Sequence, residues 1–292
     1  MALKLRRIGP QAYILPAMVY VSILTIFPSI YLFYISAFNF SLYSGGPSTF
    51  AGLGNYISAL TDPGFQQSVG LTLGYSAFVT VVEIALGLGV ALILNRPGKL
   101  ISTVRTSMMI PLVMTPFLIL MMWRYLTEPD LGPLTYLLST ITGNRSVTFF
   151  ASVPEVYISM MVIDVWQWLP FVITILLAGL SSIPRAPLEA ADIDGATGMK
   201  KLRYVTLPLL KSTFAIVLLF RLIDSFKDFE IIYLFTGGGP GTATNFLSWN
   251  IFETGLGIVE NIGLSSAYAV MFLILTIAIS WPLMYWMYRL RK

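Results

Sequence analysis

The sequence predicts an all-α, polytopic membrane protein with six transmembrane helices, and three observations carry that reading. Of 292 residues, 56% are hydrophobic and 11% charged, with a mean hydropathy of +0.78, whereas an ordinary soluble domain is roughly 25% charged. The apolar residues gather into six runs near 12–38, 70–94, 105–127, 156–180, 212–235 and 265–288. Each run is long enough for the roughly 20 residues that a helix needs to cross a hydrocarbon core. They are continuous, unlike the polarity-alternating segments of about ten residues that build a transmembrane β-barrel.

The first run follows Lys4-Leu5-Arg6-Arg7 and superficially looks like a signal peptide. It is too long and lacks a small-residue cleavage site, so an uncleaved first span is expected. Residues 39–69, with Gly45-Gly46-Pro47 and Asp62-Pro63-Gly64, have the turn chemistry of a loop or short surface helix. The second span carries an isolated acid, Glu83, for which an interhelical hydrogen bond is expected. Asn95-Arg96-Pro97-Gly98 reads as a tight turn, and Pro111 and Pro116 are expected to kink the third span. A second long loop, 128–155, contains Pro129, Pro133 and Gly143, and a third, 236–264, opens on a glycine cluster. Residues 1–292 are expected to form one domain.

Charge distribution fixes an expected orientation, because short loops rich in Lys and Arg stay in the cytoplasm. With the N-terminus inside, Lys4, Arg6, Arg7, Arg96, Lys99, Arg105, Arg185, Lys200, Lys201, Arg203, Lys211, Arg289, Arg291 and Lys292 fall at the inner face. Arg145 is then the one clear outside base, and both termini are cytoplasmic, as for a multi-pass protein of the inner (cytoplasmic) membrane. The net charge of +4 therefore reports topology and contact with anionic lipid rather than nucleic-acid binding. The chain has no cysteine and no histidine, which excludes disulfides and thiolate or imidazole metal sites, so no metal site is expected. It also excludes histidine-dependent triads, and no catalytic residue is assigned.

The segment 181–211 is too long to be only a connector. Ser182 is placed to cap a helix, Pro184 and Pro187 suit a first turn, Glu189 suits the positive end of the helix dipole, and Gly195 and Gly198 end the element. A helix of about two turns around 187–196 is expected on the inner membrane face. Beyond it, Lys200-Lys201-Leu202-Arg203-Tyr204 is basic and amphipathic and suits the headgroup region.

Here the chain resembles the inner-membrane components of binding-protein-dependent importers. Their mark is a Glu-Ala-Ala segment with a glycine four residues after the second alanine. It runs here as Glu189-Ala190-Ala191-Asp192-Ile193-Asp194-Gly195-Ala196, followed at the family's spacing by Val205-Thr206-Leu207-Pro208, with valine in place of isoleucine. A second likeness, Phe229-Glu230-Ile231-Ile232-Tyr233-Leu234-Phe235-Thr236-Gly237-Gly238-Gly239-Pro240, is to the fifth-span exit of maltose-type and glycerol-phosphate-type sugar permeases. The resemblance implies a type I importer permease fold in which Glu189, Ala190, Ala191, Asp194, Gly195 and Ala196 dock on a separate ATPase subunit. It also implies a homologous second permease subunit, two ATPase subunits that bind ATP and Mg, and an extracytoplasmic solute-binding protein. Carbohydrate as substrate follows from the second likeness. The chain itself has no phosphate-binding loop, since Gly195-Ala196-Thr197-Gly198-Met199-Lys200-Lys201 lacks the required pattern.

Ionisable groups inside spans usually face a cavity or a partner. Arg221, Asp224 and Asp228 follow i, i+3, i+7 spacing with Ser225 beside them, which predicts one polar stripe on the fifth span. These positions resemble those lining the sugar site of maltose-type permeases, with more charge than is usual there. Two readings stay open: a substrate-facing stripe, in which Arg221 binds an anionic glycoside or glycerol phosphate, or an ion pair between Arg221 and Asp224 or the partner subunit. On the fourth span, Asp164, Trp168 and Phe171 share a face, which suits either a sugar ring or an interfacial aromatic belt. Rival functions are an intramembrane enzyme using Asp164, Asp224 or Asp228 as paired carboxylates, and a secondary transporter or channel that works without an ATPase.

Overall fold

The computed structural model describes residues 10–44, 46–144, 147–257 and 259–290. Lys4, Arg6, Arg7, Arg145, Arg291 and Lys292, which carry part of the charge argument, lie outside the described residues. In chain order the helices and strands are α1 (Pro10–Ser36), β1 (Phe38–Ser41), β2 (Gly46–Phe50), α2 (Gly54–Thr61), α3 (Pro63–Leu94), α4 (Lys99–Met108), α5 (Ile110–Val113) and α6 (Pro116–Leu126). They continue with α7 (Pro133–Thr142), α8 (Val153–Ser181), α9 (Arg185–Ile193), α10 (Met199–Lys201), α11 (Leu207–Leu209), α12 (Lys211–Phe226), α13 (Leu247–Leu256) and α14 (Ile262–Leu290). Two π-helical turns, Leu202–Thr206 and Ile232–Thr236, lie before and after α12.

Among the described residues four helices are long and apolar enough to cross a membrane, and the count reaches six if each of two bent pairs is one span. The six expected runs thus fall on α1, α3, α4 to α6, α8, α12 with the turn after it, and α14. The third is more than kinked: Lys99–Val113 meets Pro116–Leu126 at 94°, because Met114 and Thr115 are extended and each proline opens a new first turn. The expected fifth run, 212–235, is one helix only as far as Phe226, and the bent pair that counts as this span, Met199–Leu209 with Lys211–Phe226 at 69°, begins inside the loop expected to be cytoplasmic.

The chain divides into two compact units, 1–65 with 251–274 and 66–250 with 275–292. In the first unit, α1 exposes much of its apolar surface, including Tyr20, Phe27 and Ile30, as expected of a helix bathed in hydrocarbon. The loop after it adds one small element that the sequence reading did not include, and leaves the all-α architecture unchanged. β1 and β2 form an antiparallel hairpin, with Phe38 opposite Phe50 and a register shift between Asn39 and Phe40. Buried Asn55 of α2 donates to the Ser36 and Phe38 carbonyls at 2.9 Å each, tying the hairpin's base. Gly263 lies so near the hairpin that an added Cβ would stand 2.1 Å from the Phe38 carbonyl oxygen, so only glycine fits there.

The second unit holds two apolar clusters. One gathers Tyr75, Val79, Val156, Met160, Ile163, Ile232 and Phe246, among others. The other is built on Ala91, Leu94, Val172, Leu176, Leu210 and Val217. A polar layer lies between them along the helices. On α3 the buried residues Ser68, Thr72, Ser76, Thr80 and Glu83 recur every three or four positions, the spacing of a single helical face. Thr72 accepts the Leu247 N–H at 2.8 Å and Ser68 accepts from Asn250 at 2.9 Å, which anchors the start of α13. Helices α8 and α12 approach closely at Gly179, where a Cβ would meet Thr213 Oγ1 at 2.5 Å. Small residues permit such contacts where no hydrophobic effect drives helices together.

Candidate functional site

The polar layer of the second unit centres on Arg221. Helix α12 brings Arg221, Asp224 and Ser225 to one face, α8 presents Asp164, Gln167 and Trp168 at i, i+3, i+4, and α3 contributes Glu83. Arg221 is fully buried. Its Nε donates to Glu83 Oε2 at 2.5 Å and its Nη2 to Glu83 Oε1 at 2.9 Å, a bidentate pair. Nη2 also donates to Asp164 Oδ1 at 3.0 Å, and Nη1 donates to Asp224 Oδ2 at 2.9 Å. The Tyr75 hydroxyl donates to the second Asp164 oxygen at 3.3 Å. The guanidinium lies 4.9 Å from the Trp168 ring centroid, within cation–π range. One cation therefore ties three helices together through three carboxylates and an indole.

The expected interhelical hydrogen bond of Glu83 is present, but Glu83 is not isolated. The Arg221–Asp224 ion pair is present too, as part of this larger cluster. The assignment of Arg221 to an anionic substrate meets a physical obstacle: every guanidinium nitrogen is engaged by a carboxylate, and the side chain is only 1% exposed. The stripe is also shorter than its spacing predicts. Helix α12 ends at Phe226 with Lys227 as its C-cap, so Asp228 follows the helix rather than continuing its face. Ser225 is buried and donates to the Leu222 carbonyl at 3.2 Å.

Beside the cluster lies a cavity of about 300 Å³ lined by Pro116, Leu120, Asp164, Gln167, Trp168, Asp224, Lys227, Asp228, Glu230 and Ile231. Of the residues singled out from the sequence, Asp164, Trp168, Asp224 and Asp228 meet there, whereas Arg221, Ser225 and Phe171 do not line it. Phe171 packs edge-on against Trp168 and Phe220, with ring centroids 6.4 and 6.3 Å apart, and so supports the wall from behind. Gln167, Lys227 and Glu230 went unassigned from the sequence. The three-residue step from Asp164 to Gln167 was the available signal for the first, and the helix end hid the other two. Among the described residues no group of three or more His, Cys, Asp or Glu could hold a metal ion.

The second candidate region is the loop carrying α9. Its start corrects the expected cap: Pro184 occupies the N-cap position, while Ser182 Oγ donates to the Gly179 carbonyl at 2.8 Å and so closes α8. Its end follows the αL rule. Gly195 has φ 73°, Gly195 N–H donates to the Asp192 carbonyl at 3.1 Å and Ala196 N–H to that of Ala191 at 2.9 Å, the paired bonds of a Schellman motif. Glu189, Ala190, Ile193, Asp194 and Gly195 are exposed, whereas Ala191 is buried within the chain's own fold. Ala191 is therefore not part of the free face expected of it. Lys201 Nζ reaches both Asp192 oxygens at 2.7 Å and braces the helix against the following segment. At the fifth-span exit, Gly237 (φ 56°) ends the π-helical turn Ile232–Thr236, and Arg124 donates to the Leu234 carbonyl.

Comparison with known proteins places these features in context. Over 90% of this chain and 84% of its own length, a probable ABC transporter permease of Sinorhizobium fredii is 36% identical. A sulfoquinovosyl glycerol transport system permease of Agrobacterium fabrum is 31% identical over 91% of this chain and 85% of its own. A trehalose/maltose transport system permease of Thermococcus litoralis is 32% identical over 91% and 88%. Among solved structures, a chain of a bacterial ABC transporter involved in the import of the acidic polysaccharide alginate superposes with a TM-score of 0.82 at 22% identity, covering 97% of this chain and 96% of that one. Residues 83–291 match the family described as "binding-protein-dependent transport system inner membrane component". With most of the chain matched and the fold shared, this protein belongs to that family and is a membrane transport component, not an enzyme.

Proposed function

We propose that this chain forms half of the pathway by which an ATP-driven importer carries a sugar or glycoside across the cytoplasmic membrane. The observation that carries the reading is the conjunction, in one chain, of an exposed Glu189-Ala190 helix face closed by Gly195 with a cavity walled by Trp168 and carboxylates. Relatives whose names specify trehalose/maltose and sulfoquinovosyl glycerol transport support carbohydrate as the class. Residues 1–292 act as one permease domain with both termini cytoplasmic. It works with a homologous second permease subunit, two ATPase subunits holding ATP and Mg, and an extracytoplasmic solute-binding protein. Helix α9 with Asp194, Gly195 and Ala196 is the element that docks on the ATPase. Nucleotide drives the cycle only through its different affinity for the two states of the complex.

The test is ATP hydrolysis by the complete complex in proteoliposomes. Carbohydrate-loaded binding protein is expected to stimulate it, and Glu189→Lys or Gly195→Asp to remove the stimulation while the chain still inserts. Hydrolysis that ignores every carbohydrate and responds to another solute class would remove the sugar assignment. Full stimulation with Glu189→Lys would remove the role of α9.

A further inference from the structure

We infer that the cavity beside Arg221 binds an uncharged, hydroxyl-rich solute and excludes anionic sugars. This rests on the carbohydrate reading above and narrows it. Four carboxylates, Asp164, Asp224, Asp228 and Glu230, line the cavity against one lysine, Lys227. Arg221 does not redress that balance. It lies outside the lining, and although it pairs with Asp164 and Asp224, Glu83 holds it bidentately as well, so five carboxylates stand against two cations. A carboxylate, phosphate or sulfonate entering here meets excess negative charge and no free guanidinium fork of the kind that holds such groups.

Other features of the cavity match a neutral polyol. Gln167 is 8% exposed, lines the cavity, and its side-chain amide has no hydrogen-bond partner among the described residues. An amide open to the cavity can both donate and accept, which suits a ligand whose hydroxyl groups do the same. The Asp228 carboxylate likewise has no hydrogen-bond partner among the described residues, since Ser248 bonds its backbone carbonyl instead. Carboxylates accept from hydroxyl donors. Trp168 is fixed by the guanidinium on its ring and by Phe171 at its edge. As a lining residue it adds an apolar aromatic wall that suits the apolar side of a sugar ring.

The absence of native cysteine permits a direct test. Pro116→Cys lines the cavity at an exposed position and leaves every charge in place. In the complete importer reconstituted in liposomes, labelling of this chain by cationic and anionic methanethiosulfonates is followed by mass spectrometry. Thr140→Cys, on the exposed face of α7, serves as reference. The cationic reagent is expected to react at least about tenfold faster than the anionic one at 116 relative to 140, and Asp228→Asn with Glu230→Gln to erase most of that bias. Maltose or trehalose is expected to slow labelling at 116, and their uronic-acid counterparts to leave it unchanged. A bias no larger than that at 140, or equal protection by the uronic acids, overturns the proposal. Protection by neither class of sugar, with the charge bias intact, overturns the carbohydrate reading and leaves the exclusion of anions standing.

Discussion

Arg221 and Lys201 each close an ion pair with an aspartate, and their surroundings make these two different devices. Arg221 is sealed between α3, α8 and α12, bonded to three carboxylates, with its side chain 1% exposed. The Lys201–Asp192 pair, at 2.7 Å, has side chains 27% and 57% exposed. Water competes with the second pair and is excluded from the first. A buried pair need not add stability over an apolar replacement of the whole group, but removing one partner strands the others. An exposed pair is worth little either way. The buried cluster thus holds one arrangement of three helices, while the exposed loop is free to meet another protein.

That contrast can be broken or sharpened by four single substitutions and one rescue combination, read as thermal or denaturant unfolding of the purified chain. Arg221→Met leaves three acids without their cation and is expected to cost about 3–5 kcal/mol. Adding Glu83→Gln and Asp164→Asn should recover part of the loss, and failure to recover any would show that packing, not charge, was damaged. Gly179→Val forces a side chain against Thr213 and Leu210 and is expected to cost about 1–3 kcal/mol through overpacking. Lys201→Ala should cost no more than about 1 kcal/mol, less at high salt. Glu189→Lys should change stability by less than about 0.5 kcal/mol, as is usual for an exposed site, while stimulated hydrolysis is expected to be lost. A large loss of stability there would mean that Glu189 serves the fold rather than a partner.

Much of this was legible in the sequence, for local reasons. Apolar run length defines a span whatever surrounds it, and the Gly195 terminator requires only a backbone that L side chains disfavour. Glu83 looked isolated because its partner lies 138 residues away, and periodicity along one helix says nothing about its neighbours. The Arg221–Asp228 stripe was over-extended because the pattern assumes an unbroken helix, and α12 stops at Phe226. Pro111 and Pro116 marked where the third span breaks, but the 94° angle comes from the extended Met114 and Thr115 between the pieces, which proline positions alone do not specify. The hairpin at 38–50 was missed because Gly45-Gly46-Pro47 signals a turn without saying that its flanks will pair.

The shortness of α12 has one more consequence. Its 16 residues rise about 24 Å, less than the roughly 30 Å of a typical hydrocarbon core, and a π-helical turn lies beyond each end. Span five therefore has no continuous rod with which to match the bilayer, and lipid thickness acts on it before it acts on the 32-residue α3. Lengthening the acyl chains should strain the region of Arg221 and slow transport, whereas shorter chains should be tolerated. Rates that are flat across lipid lengths would place the compliance elsewhere.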